Sequence, residues 1–100
     1  MTDNNGHDEK YWRERVDKAR ADLKSAEARV QLLDNQVKGL NTALLTRNDI
    51  YDKENTLGPE ISAGQKQLED ARNQVEQAKQ KISDLEDELH RAGGPAGWAR

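Results

Sequence analysis

Asp87 and His90 stand three residues apart in what reads as a helix, a spacing that sets two metal-ligating side chains on one face. A ferritin-like di-metal centre needs further inward-facing carboxylates and a second such pair. Both residues fall at outer heptad positions instead, so they read as solvated surface. The carboxylates from Asp84 to Glu88 invite an acid–base reading. Catalytic carboxylates need burial or a charged neighbour to separate their pKa values, and a cleft for substrate. A two-helix rod is expected to offer no cleft, and these side chains read as ion-paired surface. His7 lies in a polar opening segment. There is no Cys, so thiolate chemistry, thiolate metal sites and disulfides are excluded. The chain therefore reads as non-enzymatic, without cofactor or metal.

The elements that carry these residues are written in two ladders. Trp12, Val16, Ala19, Leu23, Ala26, Val30, Leu33, Val37, Leu40, Leu44, Arg47 and Tyr51 alternate in steps of four and three. Leu57, Ile61, Gly64, Leu68, Ala71, Val75, Ala78, Ile82, Leu85, Leu89 and Ala92 do the same. A ~3.5-residue period keeps one narrow stripe facing a partner helix, which is the requirement of a coiled coil. The ladders use most of the apolar residues of a chain that is 33% hydrophobic, 35% charged and free of Phe. That inventory excludes a thick globular core and leaves disorder or an elongated helical assembly. The unbroken period decides for helices.

The expected organisation is a disordered polar tail over 1–8, a helical hairpin over 9–92 and a C-terminal tail over 93–100. Within the hairpin, one helix spans 9–53, a turn 54–58 and a second helix 59–92. Asn5 or Asp8 can cap the first helix. Pro59 lacks a backbone donor and restrains Gly58, which suits a turn followed by a helix start. Gly93-Gly94-Pro95 is a helix stop. Helix is expected to exceed ~70% of the chain, against the usual third.

Charge placement predicts that the helices fold back. Lys10, Arg13, Arg15, Lys18 and Arg20 crowd the start of the first helix, and Asp84, Glu86, Asp87 and Glu88 the end of the second. Each cluster opposes its own helix dipole, and an antiparallel pairing relieves both. Two registers alternate large with small residues. One opposes Leu44 to Ala71 and Tyr51 to Gly64. The other opposes Leu44 to Gly64, Val37 to Ala71 and Trp12 to Ala96, and brings Asp34 to Arg72, Glu27 to Lys79 and Arg20 to Glu86. The second is preferred because it covers Trp12. Arg47 interrupts the ladder and either snorkels outward or sets register.

Tyr11, Trp12 and Trp98 are candidate interaction residues, since aromatic anchors on a polar protein often serve interfaces. The competing expectation has Trp98 folding back over Trp12 and Val16, whose helical partners run out. Leu32, Ala43, Leu45 and Ile50 lie off the seam, and Leu32, Leu45 and Ile50 complete the candidate contact set. A lone seam rich in Ala buries little, so the hairpin is expected to dimerise into a four-helix assembly.

The opening Asp8-Glu9-Lys10-Tyr11-Trp12-Arg13-Glu14-Arg15 and the close Ile82–Arg100, with its Gly93-Gly94-Pro95-Ala96-Gly97-Trp98-Ala99-Arg100 ending, resemble an uncharacterised family of small bacterial coiled-coil proteins. Members share a Tyr-Trp start and a Gly-Gly-x-x-Gly-Trp-Ala-Arg end, commonly behind a secretion signal. The resemblance implies a helical hairpin, no activity, and export of the natural protein.

The functional expectation is a coiled-coil protein–protein interaction or assembly element, working as a homodimer or with another protein. The alternative is a peripheral binder of an anionic surface, lipid or nucleic acid, through the basic start of the first helix. A net charge of −3 with interspersed signs does not favour nucleic acid. No stretch approaches the ~18 apolar residues of a membrane span. If Met1 is the natural start the protein is expected in the cytoplasm; if an upstream signal has been removed, it is periplasmic or secreted.

Overall fold

The computed structural model describes residues 1–46 and 53–100. It is an all-α hairpin, 86% helical, in which two helices pack against each other. Helix α1 spans Glu9–Thr46 and helix α2 spans Gly58–Arg91, with a π-helical turn over Lys53–Leu57 and a 3-10 turn over Ala96–Ala99. Among the described residues there is no strand, only an isolated bridge between Thr2 and Asp8. The end expected for the first helix, with Ile50 and the ladder positions Arg47 and Tyr51, lies outside the described residues. The turn expected over 54–58 is instead largely helical: the π turn runs into α2, and Gly58 and Pro59 form its first residues. Proline is tolerated there because the first amides of a helix have no partner within it.

Both ends of the hairpin helices are set by local chemistry. Asp8 caps α1, its Oδ1 accepting from the Tyr11 N–H at 3.0 Å. At the end of α2, the Gly94 N–H donates to the Leu89 carbonyl at 3.0 Å and the Gly93 N–H to the His90 carbonyl at 3.1 Å. This is a Schellman stop, and Gly93 sits at φ +77° where a side chain is disfavoured.

The chain forms two compact units. The first comprises Met1–Ser25 with Val75–Arg100, the second Ala26–Gln74. The core of the first is Trp12, Val16, Ala19, Leu85, Leu89, Ala92, Trp98 and Ala99, with Tyr11 and Ile82 packed against it. Leu89 and Val16 are fully buried, and each stabilises by roughly 1.5–3 kcal/mol relative to exposure. In the second, Leu33, Val37, Leu68 and Ala71 cluster with Val30 beside them, and Leu57 and Ile61 are also buried.

Neither expected register is adopted. In the second unit a Cβ on Gly64 would lie 3.1 Å from Val37 Cγ2 and 3.9 Å from Leu40 Cδ1, so Val37, not Leu44, stands over Gly64. That pairing sets Leu33 opposite Leu68 and Val30 opposite Ala71, and all four belong to one cluster. In the first unit Trp12 and Val16 share one cluster with Leu85 and Leu89. The preferred register was off by a heptad because it gave Trp12 only Ala96 to cover it. The adopted one gives Trp12 and Val16 large apolar partners. Asp34 pairs with Lys38 in its own helix at 2.9 Å, and Lys79 with Glu76 at 3.6 Å. The crossed charge clusters meet through Arg15 and Glu88 at 3.4 Å, the contact expected of antiparallel helices.

Candidate interaction surface

The first eight residues are not the free tail expected of them. Asn5-Gly6 turns the chain, Gly6 taking φ +83°. The Asp3 carboxylate, only 7% exposed, organises the loop. Its Oδ1 accepts from the Asn5 N–H at 2.8 Å and the His7 N–H at 2.9 Å, and its Oδ2 from the Trp12 indole N–H at 2.6 Å. The Asn4 N–H donates to the Ala92 carbonyl at 2.7 Å, satisfying a carbonyl that the end of α2 leaves open. The loop therefore ties the start of α1 to the end of α2. Its signal in the sequence is the Asn-Asn-Gly turn following an Asp, a side chain that readily accepts from backbone N–H groups two and four residues on.

Burial acts to raise the Asp3 pKa; the bonds from the His7 N–H, the Trp12 indole and the Asn5 N–H, with the His7 imidazole nearby, outweigh it and hold the carboxyl below its usual value. A depressed folded-state pKa means stability that is present above the unfolded carboxylate value and lost as pH falls through the folded value. An Asp3→Asn variant is therefore expected to be less stable than the parent at neutral pH, with the difference shrinking below about pH 4. Denaturant unfolding at a series of pH values reads this; a difference unchanged from neutral pH to pH 2 contradicts it.

The other end of the chain is held by arginines. Arg13 donates to the Gly97 carbonyl at 3.3 Å and the Arg100 carbonyl at 3.4 Å, and Arg20 donates to the Ala99 carbonyl. These guanidiniums press the Ala96–Ala99 turn onto α1, and Trp98 is buried as the expectation of docking required, 7% exposed beside Trp12 and Val16. Gly94 must be glycine for this: an added Cβ would collide with Leu89 Cδ1 and meet Trp98 Cε3 at 3.4 Å.

Of the six candidate contact residues, two are thus removed. Trp12 and Trp98 are core, covered by α2 and the two terminal segments, and are not available to a partner. Tyr11 is half-buried, stacked on His7 with ring centroids 3.8 Å apart and bonded through its hydroxyl to Arg15 at 3.0 Å. Ile50 lies outside the described residues. Leu32 and Leu45 remain, 58% and 84% exposed on α1 of the second unit.

The expectation that two helices offer no cleft needs amending, since the terminal segments create two shallow depressions in the first unit. One, about 230 Å³, lies between Glu86, His90, Gly94 and Arg100; the other, about 320 Å³, lies between Asn4, His7, Tyr11, Arg15 and Arg91. Neither sets a nucleophile beside a base, and Glu86 and His90 are joined by no hydrogen bond. Asp87 and His90 are exposed on α2, and among the described residues no group of three or more His, Asp or Glu is placed to hold a metal ion. Among the described residues no helix is long and apolar enough to cross a membrane. Comparison with protein-family models, with characterised proteins and with solved structures finds no match to this chain.

Proposed function

We propose that the protein is a non-enzymatic helical-hairpin interaction and assembly element that associates through α1 of its second unit, as a homodimer of four-helix form. The observation that carries this reading is the pair of exposed leucines, Leu32 and Leu45, on α1 of the second unit. Small helical pieces with so few buried side chains draw stability from staples or from association. The first unit has its staples in Asp3, Trp98 and the arginine contacts. The family that the Tyr-Trp start and Gly-Trp-Ala-Arg ending resemble likewise implies no activity.

The rival reading, a basic surface for lipid or nucleic acid, needs free cations at the start of α1. Arg13, Arg15 and Arg20 are engaged with Glu9, Glu88, Tyr11 and the C-terminal carbonyls, while Lys10 and Lys18 pair with Glu14 and Asp22. Sedimentation between about 1 and 100 µM separates the readings. Assembly predicts a mass above one chain that survives a rise in salt, since an apolar contact lacks the counterion dependence of a phosphate contact. A single-chain mass throughout, with a melting transition indifferent to dilution, overturns it.

A further inference from the structure

We propose that Asn5 is a site of spontaneous deamidation, and that its conversion to isoaspartate opens the N-terminal loop that ties the start of α1 to the end of α2. Asn5 is the one asparagine of the chain followed by glycine. The reaction requires the backbone nitrogen of the next residue to reach the carboxamide carbon, and a side chain on that residue obstructs the approach. Gly6 has none, and even a Cβ built there would meet nothing within 4 Å. Asn5 is exposed, and its only hydrogen bond among the described residues is the one its backbone N–H donates to Asp3 Oδ1. The carboxamide is therefore free to turn toward Gly6. The Gly6 N–H is held at 3.2 Å by the Asp3 carbonyl, against 2.7 to 2.9 Å for the other backbone donors of the loop, and is the one given up at least cost. Asn35, Asn41 and Asn73, by contrast, lie within α1 and α2 and are followed by Gln or Thr.

The chemistry balances with water alone. Solvent base takes the Gly6 N–H proton, the nitrogen bonds to Asn5 Cγ, and the Cγ–N bond of the carboxamide breaks to release ammonia. The product is a five-membered succinimide. Water opens it at one of two carbonyls. Attack at Cγ leaves aspartate, and attack at the α-carbonyl leaves isoaspartate, whose main chain runs through Cγ. The second outcome inserts one extra carbon, about 1.5 Å of chain, ahead of Gly6. On either side of this link the Asn5 and His7 N–H groups converge on Asp3 Oδ1, at 2.8 and 2.9 Å. A longer link cannot keep both bonds, and the new carboxylate repels that of Asp3. The same Asp3 side chain accepts from the Trp12 indole, and the neighbouring Asn4 N–H donates to the Ala92 carbonyl. Conversion therefore loosens the tie between the helix ends in step with the age of the molecule.

The test ages the full chain for weeks at neutral pH, beside Asn5→Gln, whose longer side chain cannot close a five-membered ring. Peptide mapping with electron-transfer fragmentation locates the converted residue, and hydrogen exchange of the Trp12 indole N–H, followed by NMR, reads the loop. The expected result is conversion at Asn5, with isoaspartate in excess over aspartate. The indole N–H of the converted chain is expected to exchange at least about tenfold faster, as loss of a bond to a charged acceptor requires. Aged Asn5→Gln keeps the exchange rate of fresh protein. An intact chain that stays unconverted, whether or not its urea-unfolded form converts, overturns the site. Conversion with an unchanged indole exchange rate overturns the opening of the loop. Equal acceleration in aged Asn5→Gln assigns the loosening to another change in the chain and overturns it as well.

Discussion

Replacing Trp98 with Ala is expected to remove about 3–5 kcal/mol of stability, a large share of what a chain of this size possesses. The indole is 7% exposed and shares a cluster with Trp12, Val16, Leu89 and Ala92. The side chains around it cannot collapse into the space, because Leu89 is held in α2 and Trp12 is tied to Asp3. The chain contains two Trp, so in this variant the fluorescence reports Trp12 alone. Its emission is expected to shift toward the solvated wavelength as it loses its cover. Unfolding in denaturant with a midpoint unchanged from the parent, and an unshifted emission, contradicts the docked arrangement.

Trp12→Ala is expected to cost as much, about 3–5 kcal/mol, and Trp12→Phe distinctly less. Phe retains most of the apolar burial against Val16 and Leu89 and loses only the N–H that donates to Asp3 Oδ2 at 2.6 Å. The two substitutions thus separate packing from the hydrogen bond. With that bond gone the Asp3 pKa is expected to rise toward its usual value, because one of the donors holding the carboxylate ionised has been removed. Titration of the Asp3 carboxyl by NMR in Trp12→Phe reads this. A pKa equal to that of the parent shows that the indole N–H contributes nothing to the depression.

How much of this was legible without coordinates follows from how local each determinant is. The two ladders specify the helices, because a heptad stripe depends only on positions three and four apart. Asp8 as cap and Gly93-Gly94 as stop are likewise short-range, and each is found where expected, the second helix ending within a residue of the reading. Trp98 was foreseen because the count of covered apolar residues ran out at the start of α1. Register was not legible. Shifting one ladder by a heptad preserves the alternation of large and small, and the exposed ion pairs that differ between registers are each worth at most about 1 kcal/mol, too little to choose, so the choice fell to the cover of Trp12. What decides is the total cover of Trp12 and Val16, a long-range quantity. The N-terminal loop was misread as a free tail because its defining bond joins Asp3 to an indole nine residues on, although Asn5-Gly6 announces a turn. The arginines at the start of α1 were read as a surface cluster. Three of them in fact spend donors on Glu9 and Tyr11 one turn away, and on Glu88 and the carbonyls of the closing turn, partners separated by most of the chain. For the contact surface, Leu32 and Leu45 were legible as off-seam residues and are exposed, whereas the burial of Trp12 and Trp98 depends on the terminal segments that fold over them.

In the proposed assembly the second unit meets a second copy and the first does not. Hydrogen exchange of the backbone amides, measured residue by residue at about 1 and 100 µM, tests it most directly, since exchange reports local opening and association shifts it by mass action. The account predicts that amides of Val16, Ala19, Leu85 and Leu89 exchange at rates independent of concentration. Those of Val37, Leu40, Leu44 and Leu68 are expected to slow at least about tenfold at the higher concentration. Equal rates at both concentrations in the second unit, or a concentration dependence confined to the first, would contradict it.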